Sequence, residues 1–363
     1  MDTRTDHAPA HPALPVDHPL RDGRTTDSAL VTALAGRPTA GHPVWFMRQA
    51  GRSLPEYRAI RAGVAMLDSC LDPDLASEIT LQPVRRHGVD AAVLFSDIVV
   101  PLKLAGVDVD IVPGTGPVVA HPVRTAADVA ALPVLDPAAL APVAEAVART
   151  VAQLGTTPLV GFAGAPFTLA SYLVEGGPSR EHLHTKAMMH ADPASWHALA
   201  DWVAGITSQF LHAQVLAGAS AVQLFDSWAG ALSLADYQAF VAPHSAGVLS
   251  RIGELGVPRL HFGVGTGELL VAMRDAGADA MGIDHRIPLD VANSRLGGRT
   301  PLQGNIDPAL LFAGDDALHA HAAEVIERGR AAPGHVVNLG HGVPPTTDPE
   351  VLTRLVAFIH DQP

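Results

Sequence analysis

The chain has 363 residues, 48% of them hydrophobic, a formal charge of −13 and a single cysteine, Cys70. That charge argues against a general nucleic-acid binder, one thiol excludes a disulfide framework or a multi-thiolate metal site, and no apolar run is long enough to span a membrane. A cytoplasmic soluble enzyme is therefore the expectation, and because only Lys103 and Lys186 are lysines, an anionic ligand must be met by local arginines.

In chain order, residues 1–28 carry Pro and His in no apolar rhythm and predict a disordered tail. From residue 29 to 363 the sequence is densely apolar with no linker, which predicts one catalytic domain. Short β-rich runs at Val44–Met47, Ala91–Phe95, Leu159–Phe162, Ala221–Phe225, Arg259–Phe262, Ala280–Ile283, Thr300–Leu302 and His335–Asn338 alternate with helical patterns. Val107–Val119, with Pro113-Gly114 in its middle, predicts an inserted hairpin. Trp196, Leu199, Val203, Ile206 and Phe210 recur at helical spacing, and Asp192-Pro193 marks the helix start. Eight strands alternating with helices suggest an α/β fold, a single (β/α)₈ TIM barrel. A doubly wound open sheet is the alternative that strand counting leaves standing.

Polar and small residues gather just after each strand, where barrel enzymes keep their active-site cleft. Arg48 and Arg52 follow the first strand and share a face if the chain turns helical there. Their bland reading is a pair of surface arginines bound to Glu56 or Asp68. Asp97, after the second strand, is either an N-cap for Ile98–Leu104 or a catalytic carboxylate. Asp226-Ser227 carries the same ambiguity. Tyr172 on the following helix is core packing or a site group. His341 lies between two glycines and is an acid/base candidate. Gly263-Val264-Gly265-Thr266-Gly267 sits after the fifth strand and is weak evidence for a dinucleotide.

Six segments, in order, resemble the uroporphyrinogen decarboxylase family. They are Met47-Arg48-Gln49-Ala50-Gly51-Arg52 with Leu54-Pro55-Glu56-Tyr57 and Arg61; Phe95-Ser96-Asp97-Ile98; Gly161-Phe162-Ala163-Gly164-Ala165-Pro166-Phe167-Thr168-Leu169 through Tyr172 and Glu175-Gly176-Gly177; Gln223-Leu224-Phe225-Asp226-Ser227-Trp228-Ala229-Gly230; Leu302-Gln303-Gly304-Asn305-Ile306-Asp307-Pro308; and Asn338-Leu339-Gly340-His341-Gly342. The resemblance covers the chain from residue 29 to 360. It implies a (β/α)₈ barrel, usually a homodimer, that converts uroporphyrinogen III to coproporphyrinogen III by removing four acetate carboxyls as CO₂ in haem and related tetrapyrrole synthesis. It implies no metal and no organic cofactor.

Carried over residue by residue, the resemblance makes Asp97, Arg48, Tyr172 and His341 catalytic. It adds Gln49, Ala50, Gly51, Arg52, Tyr57 and Ser227 as substrate-binding, with Arg61 as a further candidate. Ser53 and His285 stand where relatives usually carry aromatic residues. Two rival readings remain. A methyltransferase of the same barrel superfamily would need a zinc site, for which Cys70 is a poor start. A non-catalytic tetrapyrrole carrier would keep the arginines without needing Asp97.

Overall fold

The apolar runs become parallel strands covered on both faces, as their near-continuous hydrophobicity requires. The computed structural model describes residues 11–363. Its strands are β1 (Ala92–Val93), β2 (Val109–Val112), β3 (Gly116–Val119), β4 (Leu159–Gly164), β5 (Ala221–Asp226), β6 (Arg259–Gly263), β7 (Ala280–Gly282), β8 (Leu302–Gln303) and β9 (His335–Val336). Seven form one parallel sheet in the order β1-β4-β5-β6-β7-β8-β9, curled so that helices cover its outside. β2 and β3 pair antiparallel as the separate hairpin the sequence predicts.

The ring closes through a segment too short to count as a strand. Val44 bridges Val337 in parallel, and the Val337 amide donates to the Pro43 carbonyl at 2.8 Å. On its other side the Val44 carbonyl accepts from the Asp90 amide at 2.8 Å, two residues before β1. The expected strand Val44–Met47 therefore contributes one bridge only. Beyond it the chain bends to serve the site, and backbone bonds give way to side-chain bonds.

Helix boundaries follow local chemistry. Pro193–Leu216 starts on the Asp192 carboxylate, which accepts from the Ser195 amide at 3.2 Å, and Pro193 occupies the first turn, where its missing N–H costs nothing. Pro73–His87 is capped by Asp72 and ends at Gly88, whose φ of 67° suits a residue without a Cβ.

The expectation of a disordered tail is corrected for residues 11–28. Leu14 and Leu20 are each 2% exposed, and the Thr25 and Ser220 hydroxyls lie 2.9 Å apart. Prolines between the two leucines break any helical or strand period, so the sequence hides how well they pack. Residues 1–10 of that prediction lie outside the described residues.

Candidate active site

The site is built outward from a buried polar ladder inside the barrel. Trp45 donates its indole N–H to Gln303 Oε1 at 3.0 Å, and Gln303 Nε2 donates to Gln223 Oε1 at 2.8 Å. All three side chains are buried, and their bonds tie the first segment to β8 and β5 across the interior. Such a network is worth having only when its groups are paired, because an unpaired buried amide is costly.

On this base the backbone before Arg48 is held from several sides. The Met47 amide donates to Asn338 Oδ1 at 3.0 Å, and the Met47 carbonyl accepts from the Val343 amide at 2.8 Å. The Phe46 amide donates to Gln49 Oε1 at 2.9 Å, while Gln49 Nε2 donates to the Ala91 carbonyl at 3.0 Å. Arg48 itself sits at φ 62°, a left-handed conformation unfavourable for a side chain of this kind. Strain of that sort persists where the surroundings over-determine it, and it clusters at functional sites.

The conformation places the Arg48 side chain over the β9 loop. A Cβ on Gly342 would come within 2.5 Å of Arg48 Cδ, so only glycine fits beneath it. Arg48 and Arg52 are both exposed, and neither has a carboxylate within ion-pairing distance among the described residues. The bland reading fails at Glu56, which is bound instead by Arg86 at 2.7 and 2.9 Å.

Asp97, just past the end of β1, lies where it feels the charge of Arg48. Its Oδ1 accepts from the Val99 amide at 3.1 Å, so it caps the following turn and also shows a carboxylate to the cleft. Burial raises its pKa, opposed by the backbone amide of Val99 and by the charge of Arg48. Tyr172, half-buried on the helix Pro166–Glu175, belongs to the same neighbourhood. Burial and the nearby Asp97 push its phenol up to about 12, so it stays protonated and able to donate.

The Tyr172 ring lies against Trp228, with centroids 4.1 Å apart, and Trp228 in turn meets His182 at 4.7 Å. One hydroxyl fixes this wall. Thr168 donates to Asp226 Oδ1 at 2.9 Å and accepts from the Trp228 amide at 3.3 Å. Asp226 is fully buried, and burial pushes its carboxyl up to about 7. It supports the wall from behind, and Ser227, the next residue, is half-buried.

His341 completes the rim. Burial lowers its pKa, and the neighbouring Arg48, His285 and Arg286 lower it further, with Asp284 pulling the other way. It is therefore neutral near pH 7 and can donate or accept.

The structure brings Arg48, Asp97, Tyr172 and His341 into one electrostatic neighbourhood. Ala50 and Gly51 are half-buried in the turn between the two arginines. Two side chains expected to line the cleft are committed elsewhere. Gln49 is fully buried, with both ends of its amide bonded to backbone. Tyr57 is 5% exposed, packs edge-on against Phe95 at 5.6 Å and accepts a bond from Arg61 at 2.9 Å. Their residue types suggest a polar lining; their actual work is to hold the turn and the helix behind it. The Trp45–Gln303–Gln223 ladder was not foreseen, although two of its members fall within the family segments. Cys70 is buried in the helix Met66–Leu71, where burial and the neighbouring Asp97 raise its thiol pKa.

A barrel with a carboxylate, a phenol, an imidazole and unpaired guanidinium groups at its strand ends defines an enzyme of polyanionic substrates. The profile described as Uroporphyrinogen decarboxylase (URO-D) matches residues 25–362. A protein of Arthrobacter sp. (strain FB24) named uroporphyrinogen decarboxylase is 69% identical over 339 residues, covering 93% of this chain and 98% of its own length. A Salinispora tropica protein of the same name is 62% identical over 345 residues, covering 95% and 93%. The chain belongs to the uroporphyrinogen decarboxylase family.

Among solved structures, a methyltransferase from Methanosarcina mazei superposes with a TM-score of 0.76 at 20% identity, over 92% of this chain and 98% of its own. At that identity the likeness speaks for the fold alone.

Proposed function

We propose that this protein is a carboxy-lyase that removes the four acetate carboxyls of uroporphyrinogen III as CO₂ and releases coproporphyrinogen III. The product is an intermediate of tetrapyrrole (haem) biosynthesis. The observation that carries the reading is the meeting of one carboxylate, Asp97, with an unpaired guanidinium, Arg48, and a protonated phenol, Tyr172.

The chemistry explains those residue types. Loss of CO₂ directly from a pyrrole acetate leaves a carbanion without an electron sink. Protonating a pyrrole ring carbon first makes a cation. The electrons of the breaking C–C bond then flow into that ring as CO₂ departs, a second proton delivered to the exocyclic carbon completes the methyl group, and loss of the first proton from the ring carbon restores the pyrrole. The ring is thus its own electron sink, and the step needs no organic cofactor.

Asp97 accepts hydrogen bonds from the pyrrole N–H groups and stabilises the cation by a charge fixed in place beforehand. Arg48 and Arg52 hold substrate carboxylates, for which the planar guanidinium fork is suited. Ala50, Gly51 and Ser227 line the bound macrocycle. Tyr172 and His341 supply or anchor protons, since a guanidinium is a poor proton donor. Residues from 29 onward carry the chemistry, and a cytoplasmic homodimer completes the reading on the strength of the family resemblance. No helix among the described residues is long and apolar enough to cross a membrane.

Anaerobic incubation with uroporphyrinogen III, followed by chromatography of the oxidised products, tests the activity. Stepwise loss of carboxyls ending at the four-carboxylate porphyrin is expected. Unchanged substrate that remains bound would favour the carrier.

A further inference from the structure

The substrate of the proposed reaction carries an acetate and a propionate on each of four pyrroles, so its carboxylates surround the macrocycle. Arg48 and Arg52 both come from the first segment and meet it from one side. The protein as a whole, at −13, repels such a molecule. A cation farther round the mouth would complete the grip, and the end of β7 provides one.

With the Val44 segment counted between β9 and β1, β7 lies four positions from β1 in either direction around the ring. Arg286 follows β7 and therefore stands across the mouth from Asp97. Its side chain is 58% exposed, and a single nitrogen, Nη1, reaches Asp284 Oδ2 at 3.3 Å. The stronger bond of that carboxylate oxygen goes to the Gly265 amide at 2.6 Å. The rest of the guanidinium fork donates to no described acceptor. Arg286 is thus tethered, and its remaining donors are free.

The surrounding loops fix where it stands. A Cβ on Gly265 would lie 3.0 Å from Arg286 Nη1, so the β6 loop packs directly against the guanidinium. A Cβ on Gly340 would strike the His285 amide at 2.2 Å, so the His341 loop packs equally closely against the β7 end. Contacts therefore run without a break from Arg48 over Gly342, through His341 and Gly340, to His285 and Arg286. The charge of Arg286 is felt at His341 alongside that of Arg48, which puts all three on one rim.

We propose that Arg286 is a specificity-determining residue that grips a peripheral carboxylate of the macrocycle on the side of the mouth opposite Asp97, beyond the reach of Arg48 and Arg52. The inference rests on the reading of the site as a porphyrinogen decarboxylase. Asp284 acts as the positioning residue, holding one edge of the guanidinium so that the other faces the ligand.

Steady-state kinetics of Arg286→Gln and Arg286→Lys on uroporphyrinogen III test it, with Arg299→Gln as a control. Arg299 is exposed just before β8, at the other end of the barrel, and its replacement changes the net charge equally. Arg286→Gln is expected to raise KM about 5- to 30-fold with a smaller fall in kcat, the pattern of lost uniform binding. Arg286→Lys should recover part of that loss, because charge returns without the fork. Arg299→Gln should match the unaltered protein. An Arg286→Gln KM equal to that of Arg299→Gln, or a loss confined to kcat, overturns the inference. Absence of turnover in the unaltered protein overturns the decarboxylase reading itself and this inference with it.

Discussion

Among the described residues, several arginines on the outer helices are ion-paired, whereas Arg48 and Arg52 at the barrel mouth are not. Outside, Arg86 bonds Glu56 and Glu350 at 2.7 and 3.0 Å, Arg328 bonds Asp290 and Glu324 at 2.9 Å, and Arg354 bonds Asp315 at 2.8 Å. At the mouth, Arg48 and Arg52 have no such partner among the described residues, and the Arg48 backbone is held in a left-handed conformation. Where carboxylates outnumber basic residues by 37 to 24, an unpaired arginine is not explained by scarcity of partners. In the proposed reaction the anions at the mouth are supplied by the ligand. Internal pairing adds little stability on an exposed surface, whereas reserved charge adds binding.

Breaking the mouth should have the largest effect. Arg48→Ala is expected to lower kcat/KM by roughly 10³-fold, the scale of losing a positioned charge at a reacting centre, while the melting temperature changes little, because alanine leaves the left-handed backbone as it was. Kinetics and a thermal melt of one preparation check both. A mild kinetic effect with strong destabilisation would make Arg48 an ordinary structural residue.

Gln49, one residue on, should behave in the opposite way. Gln49→Ala leaves the Phe46 amide and the Ala91 carbonyl without partners in a buried turn, and should cost about 2–4 kcal/mol in denaturant unfolding. KM measured well below the melting temperature should change little. A large KM change with unaltered stability would restore Gln49 to the substrate.

Acid should weaken the whole barrel. Burial holds His87, His261 and His335 at about 4, below the ordinary histidine value of 6.5. Between those limits the unfolded chain takes up protons that the folded chain refuses, so stability present above pH 6.5 is lost as pH falls toward 4. Asp226, pushed up to about 7, works the other way over much of the same range. Three groups outweigh one, and the melting temperature is expected to drop by roughly 3–8 °C from pH 7 to pH 5. A higher melting temperature at pH 5 would mean that Asp226 dominates.

The smallest effect belongs to the outer surface. Arg86→Ala should cost about 0–1 kcal/mol in urea and leave kinetics unchanged, because its partners remain solvated. A loss of several kcal/mol would remove the distinction between the two sets of arginines.

Much of this was readable before the structure. The hairpin at Val109–Val119, the helix beginning at Asp192-Pro193 and most barrel strands follow from apolar period and local stop signals, which depend on near neighbours in sequence. The location of Arg48, Asp97 and His341 after strand ends, and of Tyr172 on the helix after Leu159–Phe162, was legible for the same reason. Arg48 φ, the Gln49 clamp and the Trp45–Gln303–Gln223 ladder were not, because each depends on partners from distant segments. An apolar run such as Val44–Met47 looks the same whether it pairs as a strand or bends after one bridge. Leu14 and Leu20 packed against the barrel were hidden among prolines and histidines that resemble a loose tail. Arg286 was passed over because its meaning lies across the ring, in contacts between loops separated by many residues.

In the proposed mechanism a carboxylate fixed just past β1 steadies positive charge on the reacting pyrrole. Single-turnover decarboxylation of uroporphyrinogen III by Asp97→Asn tests it most directly, since the amide keeps the shape and removes the charge. A fall of about 10²–10³-fold in the rate of CO₂ release, with substrate still bound, is the predicted result. A rate close to that of the unaltered protein would contradict it.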